Sequence, residues 1–391
     1  MRILYLAGVY DAGVYHRLFD AAHRPIQAAN KYHTLLCEGF AANGVSVSTL
    51  TPLPINRSEN RRMLIRVPDV TVNGVCFHYL PFVNLPGIKH LLFFLSAFFA
   101  LLTAPKDAVL FYDGLVVSAS CGACLAARLR RICRCCILTD LPEFMAIGGS
   151  GTGKHLNDRL ISSADCFVFL TEQMNERVNR RSRPYVVSEG HADVSMRDRT
   201  RAPRRNDGRR ILLYAGGLET QYGLDALCSA FRRIRKTGEE LHLYGSGGYA
   251  ETLKTLSSEA DGIFYHGVIP AAEVVERELE AELLVNPRSP EGEYTKYSFP
   301  SKTMEYMASG VPAVMCRLPG MPEEYGHYVY LFEDGSEEAI AKKLRELLEL
   351  PAEELWEKGA AAKRFVMEEK NNVAQAKKIL DRLFGAADYT R

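Results

Sequence analysis

The residues best placed to do chemistry lie in one stretch, NPRSPEGEYTKYSFPSKTMEYMASGVP, residues 286–312 of the 391-residue chain. A strand ends near Asn286, a polar loop follows, and Pro300 suits the first turn of a helix running to Ser309, with Gly310 to close it. Lys302 and Glu305 are three residues apart, so they share a face of that helix near its N-terminus. A cation there suits a pyrophosphate. A carboxylate one turn further in suits two vicinal hydroxyls, as on a ribose. A solvated ion pair has the same spacing, and the spacing alone leaves both readings open.

Three glycine clusters are further candidates. Gly216 and Gly217 follow an apolar run at 210–215, and Gly223 stands just before a helical pattern. Gly245 opens GSGG after the next apolar run, at 241–244. Such loops let backbone N–H groups approach a phosphate, and the helix that follows offers its positive end. Tight turns also use glycine for steric reasons alone, so neither loop is specific by itself. The third cluster, GGSGTGKH at 148–155, matches the phosphate-loop spacing through Gly153 and Lys154, but His155 stands where Ser or Thr should hold magnesium. A flexible glycine loop is the favoured reading there, with a triphosphate-binding kinase site as the competitor.

These residues need elements to position them. Apolar runs at 2–7, 45–50, 74–81, 108–112, 135–139, 166–170 and 185–188 read as strands of a first half. Those at 210–215, 241–244, 262–265, 281–285, 313–316 and 329–332 read as strands of a second. Several are continuous Val/Ile/Leu/Phe runs, as in buried parallel strands, and the helical stretches between them imply repeated βαβ crossovers. The polar, Arg-rich segment 193–207 reads as a linker between a domain at 1–192 and one at 208–370, with a C-terminal helical segment at 371–391 that would return to the first domain. Asp113 and Asp140 stand at strand ends of the first half, where each suits a sugar hydroxyl or a helix cap equally well. His191, on the interdomain side, is a weaker candidate for a ligand or hinge contact, and Tyr10 with residues 27–30, in the first loop and helix start, are weaker candidates on the donor-phosphate side.

Read together, these motifs carry a resemblance. SFPSKTMEYMASGVP resembles the donor-site helix of family 4 glycosyltransferases, enzymes of the GT-B fold. YAGGLETQYGLDAL is similar to that family's glycine loop and helix, and LHLYGSGG to its next strand and turn. FYHGVIP, AELLVNP and PGMPEEY follow in the expected order, and FVFLTEQM with VVSEGHADV resembles the end of its acceptor domain. The resemblance implies an α/β protein of GT-B architecture, two doubly wound Rossmann-like domains facing each other across a cleft.

The resemblance also implies roles. The donor, a nucleotide-diphosphate sugar, would meet Gly216, Gly217, Tyr222, Gly245, Arg288, Lys296, Tyr297, Ser298, Ser301, Lys302 and Glu305. Glu305, Lys302 and Asp140 are expected at the reacting centre, with Asp113, Asp140 and His191 on the acceptor side. Two departures stand out. The family often carries two glutamates separated by seven residues; the second maps to Glu305, but Tyr297 occupies the first position. Gly217 and Tyr222 occupy places where an Arg and a Lys often bind the donor phosphates. Ser301-Lys302 resembles the Ser-Lys pair of some branches, so Lys302, helped by Arg288 or Lys296, is expected to supply the missing charge. No Asp-x-Asp occurs in the sequence. No metal or other cofactor is therefore expected; the resemblance implies transfer with retention, and a catalytically inactive sugar-binding or partner subunit is the alternative.

Composition narrows the setting. The chain is 47% hydrophobic and 24% charged, which excludes collagen-like and disordered classes. Its formal charge of +1 hides an uneven distribution: residues 1–207 hold 25 basic and 17 acidic residues, and 208–391 hold 23 and 30. No nucleic-acid partner is expected from this balance. The basic half, with Arg128, Arg130, Arg131 and Arg134 close together, suits an anionic membrane surface or an ordinary solvated face. The longest apolar run, 91–104, is too short to span a bilayer; it is either a buried helix or a segment lying on a membrane face. Ten cysteines include Cys121-x-x-Cys124, but their helical and strand-like flanks read as small apolar packing rather than zinc ligation. The expected setting is cytoplasmic, peripheral on the inner face of the cell membrane, with a glycan or polyprenyl-diphosphate-linked acceptor.

Overall fold

The structure, a computed structural model, describes residues 1–18, 28–144, 151–203, 207–257 and 261–385. The chain forms two units. The front unit joins Met1–His191 to Asn372–Arg391, and the rear unit is Ala192–Asn371.

The front unit contains β1 (Arg2–Leu6), β2 (Ser46–Thr51), β3 (Leu64–Ile65), β4 (Val70–Val72), β5 (Val75–Tyr79), β6 (Phe82–Val83), β7 (Ala108–Asp113), β8 (Cys133–Leu138), β9 (Cys166–Phe169) and β10 (Tyr185–Val187). Its helices are α1 (Ala12–Leu18), α2 (Ala28–Ala42), α3 (Ile88–Leu102), α4 (Val117–Arg130), α5 (Gly151–Ser162) and α6 (Glu172–Val178). The main sheet runs β10-β9-β8-β7-β1-β2-β5-β4, parallel except for the β4 edge. Every residue of β7 is buried, which is why that strand is a continuous apolar run up to Asp113 rather than an alternating one. The run at 91–104 is largely α3, which buries only Phe93, Ala97 and Leu101. The helix at Asn372–Phe384 packs in this unit: Asn372 donates to the Leu35 carbonyl at 3.0 Å, and the Ser188 hydroxyl donates to Gln375 at 3.0 Å.

The rear unit contains β11 (Arg210–Gly217), β12 (Glu239–Ser246), β13 (Ile263–Tyr265), β14 (Leu283–Asn286), β15 (Ala313–Cys316) and β16 (Tyr330–Phe332). Its helices are α7 (Leu224–Ile234), α8 (Ala250–Leu256), α9 (Ala271–Glu280), α10 (Ser301–Ser309), α11 (Glu337–Glu349) and α12 (Ala352–Glu369); Asn372–Phe384 is α13. The sheet order is β13-β12-β11-β14-β15-β16, all parallel. Leu212 and Tyr214 of β11 join one apolar cluster while Leu213 and Ala215 join another, so the alternating side chains bury both faces of the sheet.

Residues 193–207, expected as a linker, are grouped with the rear unit. Asp193 accepts a hydrogen bond from the Ser195 N–H at the start of a 3-10 turn over Val194–Asp198. Arg197 donates to the Met367 carbonyl at 3.0 Å, and the Arg201 guanidinium lies 3.8 Å from the centre of the Trp356 ring. The Arg-rich composition reads as linker, but Arg197 and Arg201 each have a partner on α12.

Candidate functional site

Among the rear-unit strands the order reverses between β11 and β14. The chain leaves these two neighbours on opposite sides, so the loops at their carboxyl ends border a crevice, the usual ligand position in an open parallel sheet. The loop after β11 carries Gly217 to Gly223, and the loop after β14 runs to α10. The two loops touch at Gly223, which has φ +75°, and a Cβ there would collide with the Pro287 carbonyl oxygen. Only glycine accepts both the backbone and the approach. Gly245, at φ +133°, is likewise held against the Gly216 carbonyl, where a side chain has no room.

Arg288 organises the crevice. Its guanidinium lies 5.0 Å from the centre of the Tyr222 ring and 5.4 Å from that of Tyr294, within cation–π range of both. Its Nη2 reaches the Ser298 hydroxyl at 3.5 Å, and its backbone N–H donates to the Asn286 side chain at 3.4 Å. The Tyr214 hydroxyl donates to the Gly217 carbonyl at 2.6 Å, fixing the turn that carries Tyr222. Burial pushes the Tyr214 phenol well above the ordinary tyrosine range, so it remains a donor. Three expected donor residues, Tyr222, Arg288 and Ser298, are thus assembled, and Tyr294 joins them.

Two helices start beside this crevice. α7 begins after Gly223 and α10 after Pro300, and neither N-terminus is capped by a side chain. Thr171 caps α6 and Ser336 caps α11, while α3, α4, α8, α9 and α12 also lack a side-chain cap, so α7 and α10 are set apart by their place beside the crevice. An uncapped N-terminus keeps N–H groups and a positive dipole end for an anion. α10 is locked to the sheet by its buried Tyr306, whose hydroxyl accepts from the Ala215 N–H of β11 at 3.1 Å.

Lys302 and Glu305 contact each other in the first turns of α10. Lys302 also lies 3.7 Å from the carboxylate of Glu278 on α9, a residue only 2% exposed. Burial works to lower the Lys302 pKa, but the Glu305 and Glu278 carboxylates outweigh it and hold the ammonium above the ordinary lysine range. Lys302 is therefore charged at neutral pH and already shared between two carboxylates. Ser301 is exposed at the start of α10, Lys296 is exposed on a 3-10 turn over Glu293–Tyr297, and Tyr297 is half-buried on that turn.

The front-unit candidates are dispersed. Asp113 is buried at the end of β7, where it accepts from the Leu115 N–H at 2.8 Å and lies 3.4 Å from His33. The other ring nitrogen of His33 meets the Tyr5 hydroxyl at 2.7 Å. Asp140 is exposed just beyond β8. His191 is buried, with its Nε2 at 2.8 Å from the Tyr32 carbonyl. Tyr10 stacks on Tyr15, and Asn30 donates to the Gly8 carbonyl at 3.1 Å. Gln27 and residues 148–150 of GGSGTGKH lie outside the described residues; Lys154 is exposed on α5.

Sequence reasoning missed Tyr294, Glu278 and His33. Glu278 carried a faint signal, because it falls beside Leu279 on the buried side of α9, where a carboxylate needs a cation. Cys121 and Cys124 sit in α4 and Cys133, Cys135 and Cys136 in β8. Among the described residues no cluster of His, Cys, Asp and Glu suits a metal ion.

Residues 209–350 match the family described as "Glycosyl transferases group 1". No curated protein matches the chain. Among solved structures, the chain is similar to the lipopolysaccharide outer core galactosyltransferase WaaB in its apo form, with TM-score 0.66 and 14% identity over 99% of this chain and 100% of that one. It is similar to HepE of Anabaena in complex with UDP, with TM-score 0.65 and 14% identity over 98% and 99%. It is also similar to the sucrose-phosphate synthase of Thermosynechococcus elongatus, with TM-score 0.68 and 17% identity over 99% and 100%. The fold is GT-B.

Proposed function

We propose that the protein is a glycosyltransferase that binds a nucleotide-diphosphate sugar at the carboxyl ends of β11 and β14 and transfers the sugar to a glycan acceptor. The observation that carries this reading is Arg288 held between Tyr222 and Tyr294 beside the uncapped starts of α7 and α10. A diphosphate leaving group develops negative charge as the glycosidic bond breaks. Fixed N–H groups, helix dipoles and a guanidinium stabilise that charge without reorganising. Arg288 takes the place of the Arg and Lys absent at Gly217 and Tyr222. Glu305 would accept from sugar or ribose hydroxyls, with Lys302 holding it in place.

Retention of configuration, with the leaving phosphate accepting the acceptor's proton, fits a site with no glycosidase-type carboxylate pair. Metal-free transfer fits a sequence without Asp-x-Asp. The acceptor is a polyprenyl-diphosphate-linked glycan or a glycolipid, met by the basic front unit at the cytoplasmic membrane face, in cell-surface polysaccharide or glycolipid synthesis. The similarity to a galactosyltransferase and to a UDP complex of HepE supports nucleotide-sugar use.

The test is mass spectrometry of products from a panel of nucleotide sugars and lipid-linked acceptors. Transfer that disappears in Glu305→Ala is expected. Binding of a donor with no transfer or hydrolysis under any pairing would instead identify a sugar-binding subunit without turnover.

A further inference from the structure

The apolar run that produced α3 is not consumed by the core. Ile88, Leu91, Leu95 and Phe99 are exposed, Phe99 by 59%, and they recur at helical spacing along one narrow stripe. α4 packs against α3 so closely that a Cβ on Gly122 would collide with the Phe94 carbonyl. Leu125 and Leu129, three and seven residues beyond Gly122, flank that contact on α4 and are themselves exposed, Leu129 by 64%. Leu91 and Leu95 flank it on α3, three residues before Phe94 and one after. Both helices therefore expose large apolar side chains within a few residues of their contact.

The charges on the two helices have one sign. Neither α3 nor α4 contains an Asp or Glu. Of the four clustered arginines, Arg130 is spent on α3 itself, donating to the Leu102 and Ala104 carbonyls, and Arg134 is spent on Asp165. Arg128 and Arg131 remain exposed at the end of α4. Among the described residues no helix is long and apolar enough to cross a membrane. An apolar stripe edged by cations, on a helix too short to span, has the chemistry of a segment lying in a bilayer interface.

We propose that the α3–α4 face is the surface by which the front unit docks on anionic lipid, with Leu91, Leu95, Phe99, Leu125 and Leu129 entering the acyl boundary and Arg128 and Arg131 meeting headgroup phosphates. A symmetric contact with a second copy fits less well, because it would bring both copies' arginines to one interface with no carboxylate on either helix to pair them. The proposal rests on the lipid-acceptor reading above for its purpose, but not for its test.

The experiment is sedimentation of the full chain with phosphatidylcholine vesicles, with and without phosphatidylglycerol, across salt concentrations. Binding to the anionic vesicles at low salt, weakened by salt, is expected. Leu95→Ser with Phe99→Ser, and separately Arg128→Glu with Arg131→Glu, should each lower the partition ~tenfold or more. These side chains are exposed, so the variants should melt with the parent and bind donor equally well. Parent protein that ignores anionic vesicles, or variants that bind as the parent does, would overturn the proposal. So would a dimer in light scattering that the same substitutions dissolve in the absence of vesicle binding. Failure of donor binding with vesicle binding intact would count against the glycosyltransferase reading alone.

Discussion

The ammonium of Lys302, at the start of α10, lies 3.7 Å from the buried carboxylate of Glu278 on α9 while also contacting Glu305. The residue expected to supply charge to a diphosphate is therefore also the partner that keeps a buried carboxylate tolerable. Truncating it does two things at once, and stability must be measured alongside affinity.

Lys302→Ala should destabilise the rear unit by on the order of 2–4 kcal/mol, toward the low side for a broken buried pair because such exposure screens the charges. Lys302 itself is 25% exposed. Adding Glu278→Gln should recover most of that loss, as a double-mutant cycle by thermal or denaturant unfolding would show. A raised folded pKa means this contribution is complete below the ordinary lysine value of about 10.4 and is lost only as pH rises through the higher folded value. The stability difference between parent and variant should accordingly stay flat through neutral pH. A Lys302→Ala protein that melts with the parent would contradict the pairing.

Arg288→Ala should weaken nucleoside-diphosphate binding by about 1.5–3 kcal/mol, the scale of a charge-assisted hydrogen bond. Arg288→Lys should not restore it, because a compact ammonium lacks the planar, multidentate donor array with which a guanidinium meets a phosphate. Full rescue by lysine, measured by calorimetry, would reduce Arg288 to a simple point charge.

Gly245→Ala places a Cβ against the Gly216 carbonyl at a backbone angle that L-residues avoid. The cost should be about 1–3 kcal/mol or more, read as a lower melting temperature of the rear unit. Gly248→Ala, which meets only the Glu219 carboxylate at ordinary contact distance, should be near neutral.

In the front unit, burial works to raise the Asp165 carboxyl, but two side-chain hydrogen bonds and the charge of Arg134 outweigh it and hold the group below the usual carboxylate range. A depressed pKa gives stability that is present above the unfolded value, about 3.9, and lost as pH falls through the folded one. Asp165→Asn should therefore lower front-unit stability at neutral pH and flatten its acid-side slope, so that parent and variant converge as pH falls, as denaturant unfolding across pH would show.

Much of this was legible in the sequence. All thirteen apolar runs became strands, because buried parallel strands are written as continuous apolar segments. The strands that escaped, β3, β4 and β6, are two or three residues long and carry no period. Pro300 and Gly310 bracketed α10 to within a residue, since each removes a helical option that other residues retain. The glycine loops were legible as loops but not in purpose. Gly223 and Gly245 turn out to be required by neighbouring carbonyls, a tertiary fact that no spacing carries. Tyr294 was illegible for the same reason, since it matters only once Arg288 lies near its ring, and Glu278 was only faintly legible, since its role depends on α9 packing beside α10. The apolar run at 91–104 left two readings open, because no spacing shows that α3 buries only Phe93, Ala97 and Leu101.

The central claim is that the crevice at β11 and β14 binds a nucleotide diphosphate through Arg288. Titration calorimetry of the full chain and of Arg288→Ala against UDP, GDP, ADP and TDP tests it most directly. The account predicts saturable binding of at least one of these to the parent and binding weaker by roughly tenfold to a hundredfold in the variant. No binding by any of the four, or equal binding by parent and variant, would contradict it.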